Sequence, residues 1–97
     1  MKPEINMGAT VSYGVDSHAM TIVEVSPNGK TVIVQRDSVK ATGESYSNQW
    51  ITTPNPQGAT MEFTLRKNDR YVLAGDSAKS GTTLHIGARH EYYSYEF

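Results

Sequence analysis

A chain of 97 residues suffices for one domain with a thin core and excludes two. Nine basic and ten acidic side chains leave a net charge of −1, so bulk phosphate-backbone binding is not the default partner chemistry. With no cysteine there is no disulfide framework, thiolate zinc site or redox couple, and no cofactor is expected. The hydrophobic fraction of 37% lies above that of disordered chains, and the polar excess is the Thr, Ser, Asn and Gly of turns and sheet surfaces.

Taken in chain order, the periodicity is that of strands. Residues 9–13 (ATVSY) read as a short first strand, followed by a loop over 14–18. Residues 20–25 (MTIVEV) and 31–36 (TVIVQR) flank Ser26-Pro27-Asn28-Gly29-Lys30, a hairpin in which Asn-Gly signals a tight turn. Residues 37–48 are polar with one glycine and read as an exposed loop. Residues 49–53 (QWITT) form another strand, with Trp50 in a core or interface role, stopped by Pro54-Asn55-Pro56.

The clearest alternation is residues 60–67 (TMEFTLRK): Met61, Phe63 and Leu65 face one way, Glu62, Thr64 and Arg66 the other. Lys67-Asn68-Asp69-Arg70 turns the chain into 71–74 (YVLA). A flexible stretch over 75–81 precedes strands at 83–88 (TLHIGA) and 91–97 (EYYSYEF). Seven or eight short strands with no helix predict a single all-β domain over 1–97. It is a small barrel or sandwich, with an SH3-like barrel favoured by the rhythm of the first hairpin. No segment approaches the length of an apolar membrane span, and no leader is expected, so the protein reads as intracellular.

Catalytic motifs are missing. The chain has no GxSxG, no Walker loop and no cysteine nucleophile, and its three histidines lack metal-ligand spacing. The expectation is therefore a non-enzymatic protein. Candidate ligand-binding residues fall in three places. His18 and Tyr13, with Asp16 and Ser17, sit in a loop where turn-shaping is the ordinary explanation. Arg66, Arg70 and Tyr71 form the densest cationic segment, able to grip a phosphate and stack on a base, or to be a solvated hairpin tip. Arg89 and Tyr92 flank Glu91, which either joins a polar binding strip or makes a surface ion pair with Arg89. Tyr93, Tyr95 and Phe97 share one face of the last strand, suited to a core or an oligomer interface.

Three stretches, HAMTIVEVS (18–26), EFTLRKNDRYV (62–72) and LHIGARHEYYSYEF (84–97), together resemble a family of small tailed-phage and prophage proteins. That family carries HAxTVxEV, FTLRKNGRW and LGxRxEYYD patterns, and the resemblance covers residues 8–97. Asp69 stands where glycine is usual, Tyr71 where tryptophan is usual, and Ser94 where Asp is common. The resemblance implies phage origin and a small β fold, with action in the host cytoplasm during infection, and carries over no catalytic or ligand residues.

The leading expectation is a phage accessory protein that sequesters a small nucleotide-like ligand or otherwise counters a host defence. The alternatives are a host-protein inhibitor or adaptor with a tyrosine-rich surface, a nucleic-acid-binding barrel (disfavoured by the net charge), and a minor virion component. A homo-oligomer fits the terminal aromatics, and no membrane partner is expected.

Overall fold

The computed structural model describes residues 2–13, 16–41, 50–67, 69–77, 81–89 and 91, with the side chains of Tyr13, Ala41 and Trp50 outside that description. Eight strands run in chain order: β1 (Gly8–Tyr13), β2 (Asp16–Val25), β3 (Thr31–Arg36), β4 (Ser38–Ala41), β5 (Trp50–Thr53), β6 (Thr60–Leu65), β7 (Tyr71–Leu73) and β8 (Thr83–Ile86). Six of them close an antiparallel barrel in the order β1-β2-β3-β6-β7-β8, with β8 returning to pair with β1. The barrel alternative therefore holds over the sandwich. Among the described residues, strands β4 and β5 pair only with each other, as a ribbon between β3 and β6 in chain order. No helix long and apolar enough to cross a membrane occurs among the described residues.

The interior follows from period-two alternation. Ala9 and Val11 of β1, Met20 and Ile22 of β2, Val32 and Val34 of β3, Phe63 of β6, Tyr71 of β7 and Leu84 of β8 form the buried core. Met61 and Leu65 pack at its margin, so the alternation of residues 60–67 points as the sequence predicts. Phe63 lies opposite Val32 on one side and Leu73 on the other. Burying each such large side chain contributes about 1.5–3 kcal/mol.

Strand β2 departs from strict alternation. Its register to β3 shifts between Ile22 and Glu24, leaving Val23 as the extra residue of a β-bulge. Val23 and Glu24 are both exposed, while Ile22 and Val25 both turn to the core. The bulge thus keeps an inward-facing series whose spacing changes from two to three.

Several boundaries differ from the sequence expectation. His18 lies on β2 rather than in a loop, because β2 begins at Asp16 and pairs through Tyr13↔Asp16 with β1. Residues 37–48 are not one exposed loop: Asp37 is buried and Ser38–Ala41 is a strand, while 42–49 lie outside the described residues. Strand β8 ends at Ile86 because Gly87 turns away at φ 104°. The expected last strand, with Tyr92, Tyr93, Tyr95 and Phe97, falls outside the described residues apart from Glu91. In the β2–β3 turn only Gly29 takes positive φ (71°). The Asn28 side chain instead accepts from Ser26 Oγ (2.7 Å) and the Lys30 amide (3.0 Å).

The β6–β7 turn is closed by the Arg66 amide donating to the Arg70 carbonyl at 2.9 Å, with Asp69 at φ 63°. That left-handed conformation suits glycine and is tolerated by Asp. Asp69→Gly is expected to stabilise the protein by about 0.5–1 kcal/mol in urea unfolding. Gly58 is the opposite case, because a Cβ there would collide with the Arg36 carbonyl oxygen. Gly58→Ala is expected to lose about 1–3 kcal/mol in the same assay, as overpacking does.

Candidate functional site

One end of the barrel opens into a cavity of about 460 Å³ lined by Asp16, His18, Met20, Arg36, Ala59 and Met61. Its walls follow from strand parity. Asp16, His18 and Met20 continue the inward face of β2 toward its start, and Arg36 continues the inward face of β3 beyond Val32 and Val34. Met20 and Arg36 face each other across β2 and β3, and Met61 lies opposite Val34. The core therefore ends in two thioethers, and charged groups ring the rim above them.

The Gly58 turn holds the β6 side of this mouth. The Arg36 amide donates to the Ala59 carbonyl at 2.8 Å, and Gln35 Nε2 donates to the carbonyls of Pro56 and Gly58, each at 3.0 Å. Only a residue without a side chain lets residue 58 come this close to the end of β3.

Behind the rim lie two carboxylates whose side chains have no exposed surface, Asp37 and Glu91. Glu91 Oε1 accepts from the Ala19 amide at 2.9 Å, and its Oε2 accepts from Arg36 Nη2 at 2.8 Å. His18 Nδ1 lies 3.2 Å from the same Oε2. Arg36 is braced in turn, Nη1 donating to the Ala19 carbonyl at 3.0 Å. Asp37 accepts from Thr21 Oγ1 (2.6 Å) and Arg89 Nε (3.1 Å), and Arg89 Nη2 also donates to Thr21 Oγ1 (3.1 Å). Thr10 Oγ1 donates to the Ala88 carbonyl at 2.7 Å, so Ala88, Arg89 and Glu91 are strapped over the outside of β1 and β2. No buried side-chain polar atom among the described residues lacks a partner. That is the condition under which buried charge is tolerated.

The sequence-predicted residues are not brought together. His18 reaches the mouth, and the Tyr13 backbone lies at the same end of the barrel, opposite Asp16. Arg66 instead clamps its own hairpin, donating to Thr64 Oγ1 (2.8 Å), the Asp76 carbonyl (2.8 Å) and the Leu73 carbonyl (3.2 Å). Tyr71 is a core residue, 8% exposed, whose hydroxyl donates to the Gly29 carbonyl across the barrel's other end. Arg70 is exposed beside an outer groove shared with Asp69, Thr83 and His85. Arg89 pairs with Asp37 and not with Glu91, and Tyr92 falls outside the described residues. The basic–aromatic set is thus dispersed, because strand geometry turns Tyr71 inward and acceptors within the fold claim Arg66 and Arg89.

Sequence reasoning missed Arg36, Asp37, Met20 and Met61 as site residues, and it placed Glu91 in a surface strip beside Arg89 where the structure buries it against Arg36 and His18. For Arg36 a signal existed: it shares parity with Val32 and Val34, which marks an inward-facing cation at a strand end. Asp37 and Glu91 are 54 positions apart in sequence, and each meets cations or imidazole from far along the chain, Asp37 with Arg89 and Glu91 with Arg36 and His18.

In comparisons with known proteins, no family model, no curated protein and no solved structure gives a significant match to this chain.

Burial holds the Tyr71 phenol above its ordinary range. A raised folded value keeps its stabilising contribution whole below the unfolded tyrosine value of about 10 and loses it as pH rises through the folded one. Tyr71→Phe is therefore expected to flatten the alkaline limb of the stability–pH curve. At neutral pH it loses about 1 kcal/mol with the Gly29 hydrogen bond. Chemical denaturation from pH 7 to 11, wild type against variant, reads both effects.

Proposed function

We propose that the protein is a non-enzymatic binding protein that takes up a small nucleotide-like molecule at the barrel mouth, in the service of a phage accessory role that counters a host process. The observation that carries this reading is the composition of the mouth. A cavity of about 460 Å³ is floored by Met20 and Met61 and rimmed by Asp16, His18 and Arg36. That volume falls in the range of small-molecule sites, about 300–1,000 Å³. Thioethers are polarisable and pack well on the flat face of an aromatic ring. Around them, a carboxylate can accept from an exocyclic amine, and a guanidinium and an imidazole can donate to ring nitrogens and carbonyls. A planar heterocycle with a polar edge fits that arrangement better than an aliphatic ligand, which would leave the rim groups unmatched.

The phage context comes from the resemblance of residues 8–97, and the non-enzymatic reading from the lack of a nucleophile–base pair at the mouth among the described residues. Sequestration needs only a pocket, which a barrel end supplies without loss of strand pairing.

Native mass spectrometry of the protein as purified, followed by thermal shift against a panel of nucleotides and cyclic nucleotides, tests the reading. Added mass of a few hundred daltons, or one panel member that raises the melting temperature saturably, is the expected result. Met61→Trp, which fills the cavity from its half-buried floor, should weaken that binding at least about tenfold, the effect of about 1.4 kcal/mol. The variant should keep a melting temperature near wild type. No added mass, together with no shift across the panel, would remove the small-molecule reading.

A further inference from the structure

Three donors from two strands converge on one buried carboxylate. The Ala19 amide of β2 reaches Glu91 Oε1 at 2.9 Å, and Arg36 Nη2 of β3 and His18 Nδ1 of β2 reach Oε2 at 2.8 and 3.2 Å. His18 donates when Nδ1 carries the proton. A backbone N–H, a guanidinium and an imidazole aimed at two oxygens make the donor set of an oxyanion site. We propose that this cradle is a binding site for a small oxyanion, a carboxylate or phosphate, and that Glu91 is its occupant in cis, replaced when an external oxyanion binds.

Each part of the cradle is built by the barrel and not by the segment that carries Glu91. The ladder between β2 and β3 stops at Met20↔Arg36, with the Asp37 amide donating to the Ala19 carbonyl at 3.2 Å. Beyond that point the Ala19 amide has no strand acceptor on this side, and a buried amide left unmatched is destabilising. Arg36 is set in place by its bond to the Ala19 carbonyl, independently of Glu91. Glu91 itself lies after β8 and belongs to no strand. Its segment is anchored upstream by Arg89 on Asp37 and by Thr10 on the Ala88 carbonyl. Withdrawing the Glu91 carboxylate therefore breaks no ladder bond.

The cradle also opens toward solvent on its other face. The Arg36 and His18 side chains are 27% and 24% exposed and line the mouth cavity, while the carboxylate they hold is 0% exposed. An anion arriving through the mouth meets the same two side chains. Tethering gives Glu91 a high effective concentration, so a monofunctional anion displaces it only at correspondingly high concentration and binds far more readily once the Glu91 charge is removed. This inference goes beyond the nucleotide reading and does not depend on it.

The test is chemical rescue with acetate and inorganic phosphate as probes. Glu91→Ala is expected to lower the melting temperature by about 10 °C or more, as loss of a buried charge partner does in a domain of this size. Acetate should restore at least half of that loss, saturably, where chloride at equal ionic strength does not. If Glu91→Ala is unfolded without additive, the same titration reads recovered folding. The Arg36→Ala/Glu91→Ala double variant should show no acetate-specific rescue.

Glu91→Gln keeps the shape and the acceptor for the Ala19 amide but removes the charge. Inorganic phosphate should bind it about tenfold more tightly than wild type, the effect of weakening one charge-assisted hydrogen bond. The displacement of the Ala19 amide signal in NMR reads that affinity. Acetate no better than chloride on Glu91→Ala, or an Ala19 amide in Glu91→Gln unmoved by phosphate, overturns the proposal. Because no nucleotide enters these measurements, their failure is distinct from failure of the nucleotide panel.

Discussion

Two carboxylates without exposed surface, Asp37 and Glu91, govern how the outside of this barrel is assembled. A buried carboxylate is tolerated only where cations and hydrogen-bond donors meet it, and each of these has both. Asp37 at the end of β3 draws Arg89 and Thr21; Glu91 draws Arg36, His18 and the Ala19 amide. Together they hold Ala88, Arg89 and Glu91 against β1 and β2, and Glu91 fixes the orientation of Arg36 and His18, which face the mouth. The stem of Arg89 passes so close to Gly8 that a Cβ there would lie 2.8 Å from Arg89 Cγ. The first residue of β1 is thus matched to the same strap.

The barrel interior obeys simpler rules. Alternating β-branched and aromatic residues meet at the centre, and closure through β1 and β8 removes the open edges that a small sheet would otherwise present. The bulge at Val23 lets a ten-residue strand serve two neighbours without turning its last inward residue to solvent. At one end Tyr71 spans the interior to Gly29, and at the other the interior gives way to Met20, Met61 and the charged rim. The two ends therefore differ in chemistry: one is sealed by a phenol, the other carries thioethers beneath charges.

Much of this was legible residue by residue. The 60–67 segment showed its inward face through Met61, Phe63 and Leu65, and Asn28-Gly29 and Asp69 marked two of the turns. Legibility failed where a residue's role is set by a partner far away in sequence. Arg66 and Arg89 looked like free cations on polar faces, yet each has acceptors within the fold: Arg66 the Thr64 hydroxyl and the Leu73 and Asp76 carbonyls, Arg89 the buried carboxylate of Asp37. Residue 37 looked like the start of a solvated loop because its neighbours are polar, and only its contact with Thr21 and Arg89 makes it buried. His18 looked like a turn residue because Asp16 and Ser17 precede it, but pairing with β1 carries the strand back through all three.

The sequence by itself determined the class of fold, since period-two alternation and frequent turn residues leave a chain of this length little choice but a small all-β domain. It also ruled out cysteine-based metal and redox chemistry. Tertiary structure alone decided which polar residues face inward at a barrel end and which carboxylates are buried. Those outcomes depend on strand register and on ion pairs between residues as far apart as 18 and 91, and local pattern carries no record of either.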